Sequence, residues 1–189
     1  MKVIGTVGLP GSGKGELADV AREAGIPVVT MGDIIREECR NRGLDPATDH
    51  GKIAKALREE EGDDAIAARS LPVIESHLES NDLVVVDGLR SGVELDCFHG
   101  AFGDEFVLVS VEAPFEMRAD RLLDRGRDES DTDLEALKKR EERELNFGMG
   151  KAMERADVVI QNTDSLEAYR EKITRLFEDG PEAVAEAEQ

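Results

Sequence analysis

The sequence predicts an α/β fold in which a parallel sheet lies between layers of helices. Three observations carry this. Short apolar runs alternate with helical stretches from one end of the chain to the other. Leu83-Val84-Val85-Val86 and Phe106–Val111 are nearly unbroken in apolar character, as in strands buried on both faces. Lys2–Val7 runs directly into a glycine-rich turn and then a helix. Parallel neighbours of this kind need crossover connections, and these are right-handed.

Taken in order, the first strand is Lys2–Val7. A helix follows from Lys14 to about Ala24 and is closed by Gly25. Ile26–Val29 reads as the second strand and Gly32–Arg42 as a helix. Asp49 is read as the cap of a helix from about His50 to Glu61. Asp63–Ser80 continues helical, with Pro72 as a kink. These extra helices, between about residues 42 and 80, are long enough to form a mobile flap over the sheet's C-terminal edge, where such folds bind ligands. The strand Leu83–Val86 is followed by a helix over Val93–Phe102 and the strand Phe106–Val111. Pro114 opens a helix to about Arg125, a long charged helix spans Leu134–Arg155, and Asp157–Gln161 is the fifth strand. Ser165 caps a last helix to about Glu178, and the acidic segment 180–189 reads as a disordered tail. Residues 1–179 are read as a single domain.

Charge narrows the function. The 189 residues include 43 acidic against 24 basic ones, for a net charge of −19. Acid spread along a chain poor in lysine and large aromatics fits a protein adapted to high salt, where screening relieves self-repulsion. A disordered acidic chain is the rival, but the periodic apolar segments argue against it. No basic stripe is available for a nucleic-acid backbone. No apolar run approaches the roughly 18 residues of a membrane span, and nothing before the first strand reads as a leader, so a cytoplasmic location is expected. Cys39 and Cys97 belong to no metal-ligand pattern and are read as reduced thiols, and His50, His77 and His99 show no zinc spacing. A homodimer and a monomer are equally open.

The strongest motif is Gly8-Leu9-Pro10-Gly11-Ser12-Gly13-Lys14-Gly15, between a strand and a helix. Its glycines let the backbone wrap a phosphate, and the helix that follows adds its positive end. Lys14 supplies a mobile charge for β- and γ-phosphates. Gly15 and Glu16 stand where this kind of loop usually has a serine or threonine for Mg²⁺. A carboxylate at Glu16 either binds hydrated Mg²⁺, directly or through water, or simply satisfies the helix dipole.

The loop and three further segments resemble nucleoside monophosphate kinases. Gly-x-Pro-Gly-x-Gly-Lys-Gly is similar to the adenylate kinase branch of the P-loop NTPases. Thr30-Met31-Gly32-Asp33-Ile34-Ile35-Arg36 and Val84–Arg90 are similar to that family's acceptor segments. The resemblance implies a three-layer sandwich with a five-stranded sheet of order 2-3-1-4-5, a helical acceptor flap, and a short lid over about residues 118–145. It implies that Arg36 and Arg90 hold the acceptor and that Asp87 holds metal through water. Asp33 would lie near the metal waters and serve as base for a hydroxyl acceptor. Arg121 and Arg125 share a helical face; by resemblance one packs on adenine and the other reaches phosphate, while Arg127 and Arg140 close over the transferring group. Arg118 and Arg143 are expected in salt bridges instead. Ala156–Glu167 is similar to the end of dephospho-CoA kinases, with the Asn162 turn bordering adenine. The order of segments resembles archaeal P-loop proteins related to dephospho-CoA kinase. What this implies is ATP and Mg²⁺ binding and phosphoryl transfer to a small nucleotide-like acceptor, the alternative being a nucleotide switch that acts through a protein partner.

Overall fold

The computed structural model describes residues 1–125 and 134–185. Its sheet has five parallel strands in the order β2-β3-β1-β4-β5, as the resemblance implies. These are β1 (Val3–Val7), β2 (Val28–Thr30), β3 (Val84–Asp87), β4 (Phe106–Glu112) and β5 (Val158–Gln161). The first strand is buried along its whole length, because helices cover both faces of the sheet.

One face packs α2 (Met31–Asn41), α3 (Pro46–Glu61), α4 (Ala65–Leu78) and α5 (Gly92–Phe102) over Val3, Val84, Val86 and Leu108. The other packs α1 (Lys14–Glu23) and α9 (Leu166–Asp179) over Ile4, Val85, Val109 and Ile160. Side chains alternate along a strand, so Val3 and Ile4 serve opposite cores. Among the described residues no helix is long and apolar enough to cross a membrane. Cys39 is buried and Cys97 half-buried, both as free thiols.

Several boundaries differ from the sequence reading. Helix α3 begins at Pro46, because Asp45 rather than Asp49 is the cap; its carboxylate accepts from the Ala47 N–H at 2.9 Å. Proline at the first helical position reinforces that start, since its missing N–H would have no partner there. The helix expected over Leu134–Arg155 is broken. It divides into α7 (Leu134–Glu144), a wide turn at Leu145–Met149, and α8 (Gly150–Met153). Gly148 adopts φ +120°, where it passes close to the backbone of Ser91 and Gly92. Nor is the C-terminal segment a free tail from residue 180. Pro181–Ala185 forms α10, and Val184 is buried against the α9 core.

The flap is cross-linked by charge. Arg42 pairs with Glu38 and Glu60, each at 2.7 Å, and Arg69 pairs with Glu38 at 2.9 Å and with Glu61. Glu60 and Glu61, at the end of α3, therefore help tie α2, α3 and α4 together.

Candidate nucleotide site and acceptor cleft

The glycine-rich loop connects β1 to α1 and is held from outside by three other parts of the chain. Asn162, at the end of β5, donates from Nδ2 to the Ser12 carbonyl at 2.7 Å. The Tyr169 hydroxyl on α9 donates to the Gly13 carbonyl at 3.1 Å. From α6 (Phe115–Arg125), Arg118 donates to the Pro10 carbonyl at 3.2 Å, and Arg121 donates to the Asn162 carbonyl at 2.9 Å. Gly13 has φ +116°, and a Cβ there would collide with Asn162 Nδ2. Only glycine permits both that backbone and that approach.

Lys14 points back over the loop, its ammonium donating to the Gly8 carbonyl. Burial pushes its pKa down to about 8; Arg90 and Arg140 push the same way, while Asp87 and Glu144 oppose. Asp87 closes β3 directly opposite Thr6 of β1, and the Thr6 hydroxyl donates to Oδ1 at 3.0 Å. Sheet register thus sets both the place and the aim of this carboxylate.

A cavity of about 280 Å³ opens beside these groups, lined by Gly8, Pro10, Lys14 and Asp87 together with Arg36, Arg90 and Arg140. Five side chains singled out in the sequence therefore meet in one space, although they come from four separate segments. Arg90 is oriented by Glu144 at 3.2 Å. Arg36 is oriented by Asp33 at 2.7 Å, and Asp33 is largely exposed and does not line the cavity. Arg121 lies behind the loop, at Asn162. Arg118 pairs with Glu141, in line with its expected structural role. Glu16, read either as a metal ligand or as a partner of the helix dipole, pairs through its carboxylate with Arg170 on α9, which also holds Glu23. The Arg125 side chain and Arg127, with the lid segment 126–133, lie outside the described residues.

Four polar lining residues escaped sequence reasoning: His50, Arg58, Glu94 and Glu144. Glu94 had a signal. Ser91 accepts from the Glu94 N–H at 3.2 Å, so Ser91-x-x-Glu94 is a capping pair at the start of α5. The Glu94 carboxylate, 1% exposed, then accepts from the Arg90 N–H at 2.8 Å and from Arg58 at 3.3 Å. Burial raises its pKa, against the pull of these donors. His50 and Arg58 carry no motif, because only the packing of α3 brings them to the cavity.

A family model described as an AAA domain matches residues 7–138. The chain is 58% identical over 177 residues to a UPF0200 protein of Halobacterium salinarum, covering 94% of this chain and 93% of the relative. Among solved structures, TT1252 from Thermus thermophilus superposes with a TM-score of 0.65 at 21% identity, covering 94% of this chain and 97% of the other. Dephospho-CoA kinase from Campylobacter jejuni superposes with a TM-score of 0.62 at 16% identity over the full length of both chains. At such identities the likeness is one of fold, and that fold is the P-loop kinase fold. The family rests on the closer sequence matches: this chain belongs to the UPF0200 family, built on an AAA-type P-loop domain.

Proposed function

We propose that the protein transfers the γ-phosphate of ATP to a small nucleotide-like acceptor, of the nucleoside monophosphate or dephospho-CoA class. The single observation that supports this best is charge placement. In a chain of net charge −19, one cavity gathers Lys14, Arg36, Arg90 and Arg140 beside Asp87. Phosphoryl transfer spreads negative charge over the moving oxygens, and fixed cations around them stabilise it.

The residues present fit ATP and Mg²⁺. Lys14 already engages a loop carbonyl, and a phosphate oxygen would replace that carbonyl as its partner. Ser12 Oγ is buried in the loop without a hydrogen-bond partner. Asp87, aimed by Thr6, would hold metal-bound water. Mg²⁺, when bound, neutralises phosphate charge; Glu16 is engaged elsewhere, by Arg170. Arg36 and Arg90 would hold the acceptor, Arg121 would border the adenine, and Arg125, Arg127 and Arg140 would cover the transferring group. A phosphate acceptor is already ionised and needs no base. A hydroxyl acceptor needs one, and Asp33, beside Arg36, is the candidate. An arginine supplied by the chain itself, Arg140, favours a kinase over a switch that borrows one from a partner.

The test is ADP release from ATP and Mg²⁺ in concentrated KCl, with a panel of nucleoside monophosphates and dephospho-CoA. Release that rises with one acceptor, and is lost in Lys14→Ala, is the expected result. Release indifferent to every acceptor would count against a kinase.

A further inference from the structure

His50, Ala54 and Arg58 are spaced by four residues along α3 and share one face of it. His50 Nε2 and Arg58 Nε are both buried, and neither has a hydrogen-bond partner. Such atoms are costly to a folded protein, and sites where they persist call for a partner from outside. Both residues line the cavity that contains Lys14 and Asp87. Both also line a second cavity of about 390 Å³, which shares Arg90, Arg140 and Glu144 with the first.

The two atoms require opposite chemistry. The Gly32 backbone favours a proton on the His50 ring, and with Nε2 the unpartnered nitrogen that proton is assigned to Nδ1. Burial holds the ring's pKa down, and Arg36, Arg90 and Arg58 add to this, so the neutral ring keeps its lone pair on Nε2. His50 therefore takes a hydrogen-bond donor. Arg58 offers one: its Nη1 is used on the Ala54 carbonyl and its Nη2 on Glu94, both at 3.3 Å, which leaves Nε–H for a ligand oxygen. Its guanidinium is steadied by the Phe147 ring, with the centroid 4.7 Å away. Among so many arginines an uncharged donor is favoured, which selects a hydroxyl over a protonated amine. Neighbouring sugar hydroxyls both donate and accept.

We propose that the flap recognises the sugar hydroxyls of a ribose-bearing phosphate acceptor through His50 Nε2 and Arg58 Nε, with His50 as the specificity-determining residue. This rests on the kinase reading above, and it names the part of the acceptor that the phosphate-holding arginines leave unread.

The experiment uses the full chain, saturated with a non-hydrolysable ATP analogue in concentrated KCl. AMP, CMP, GMP and UMP are titrated calorimetrically beside their dideoxyribose counterparts. At least one ribonucleotide is expected to bind roughly tenfold or more tightly than its dideoxy form. That preference should vanish in His50→Leu. It should survive in part in His50→Gln, whose amide oxygen replaces the lost acceptor, while the ATP analogue binds all three proteins alike. The Gln variant also carries the test if the Leu variant does not fold. Equal binding of ribo and dideoxy forms overturns the proposal, as does a preference that persists in His50→Leu or no binding by any of the four. Failure of the unaltered protein to bind the ATP analogue is a separate outcome, and it overturns the kinase reading itself.

Discussion

Arg118 Nη2 lies 2.8 Å from Glu141 Oε2, and this pair joins α6 to α7 beside the phosphate loop. Arg118 is almost fully buried and also donates to the carbonyls of Ala113 and Pro10. Replacing Glu141 by Leu leaves a buried guanidinium with carbonyl partners but no counter-charge. The expected loss is about 2–3 kcal/mol of unfolding free energy, read from denaturant midpoints at fixed KCl. An unchanged midpoint would mean that the pair does not anchor α7.

Lys14 yields a prediction of opposite sign. Its pKa in the folded protein, about 8, lies below the 10.5 of an unperturbed lysine. Between these values the unfolded chain binds more protons, so stability rises with pH over that window, and the penalty is complete below it. Lys14→Met removes the buried charge. Without nucleotide it should be more stable at neutral pH, by on the order of 3 kcal/mol, with a flatter pH dependence from 8 to 10.5. It should also no longer bind ATP. Thermal melts across that range, with and without ATP, check both halves.

Gly13→Ala tests the back wall of the loop. The residue would have to hold φ +116° and displace Asn162, for a loss of about 3 kcal/mol or more. Adding Asn162→Gly should relieve the collision but not the backbone strain, so the double variant recovers only in part. Full recovery in a double-mutant cycle would show that crowding alone makes glycine necessary.

The charge predicts a response to salt. With a net charge of −19, self-repulsion is screened as ionic strength rises. Melting temperature should climb strongly with KCl. A flat profile would leave the acidity without a role in salt adaptation.

Some of this molecule was legible before folding was considered. The phosphate loop is a local signal, because the glycines, the lysine and the strand-loop-helix setting lie within a few residues of one another. Asp87, Arg36 and Arg90 were legible too, as short segments at the ends of apolar strands. Local errors arose at Gly148, which takes φ +120° inside a helix-forming sequence, and at Val184, which orders an acidic segment because the α9 core accepts it. Glu16 allowed two readings, metal ligand or helix-dipole partner, and its pairing with Arg170 depends on α9, far along the chain.

The sequence by itself determined the layered α/β architecture and the presence of a phosphate-binding loop, since both depend on periodicity and on contiguous residues. Only the tertiary structure decided what faces that loop. Lys14, Asp87, Arg90 and Arg140 meet because the sheet sets β1 beside β3 and because α7 returns over the cleft. His50 and Arg58 join them because α3 packs against α2 and α4. Contacts of that kind connect residues far apart in the chain, and no local pattern records them.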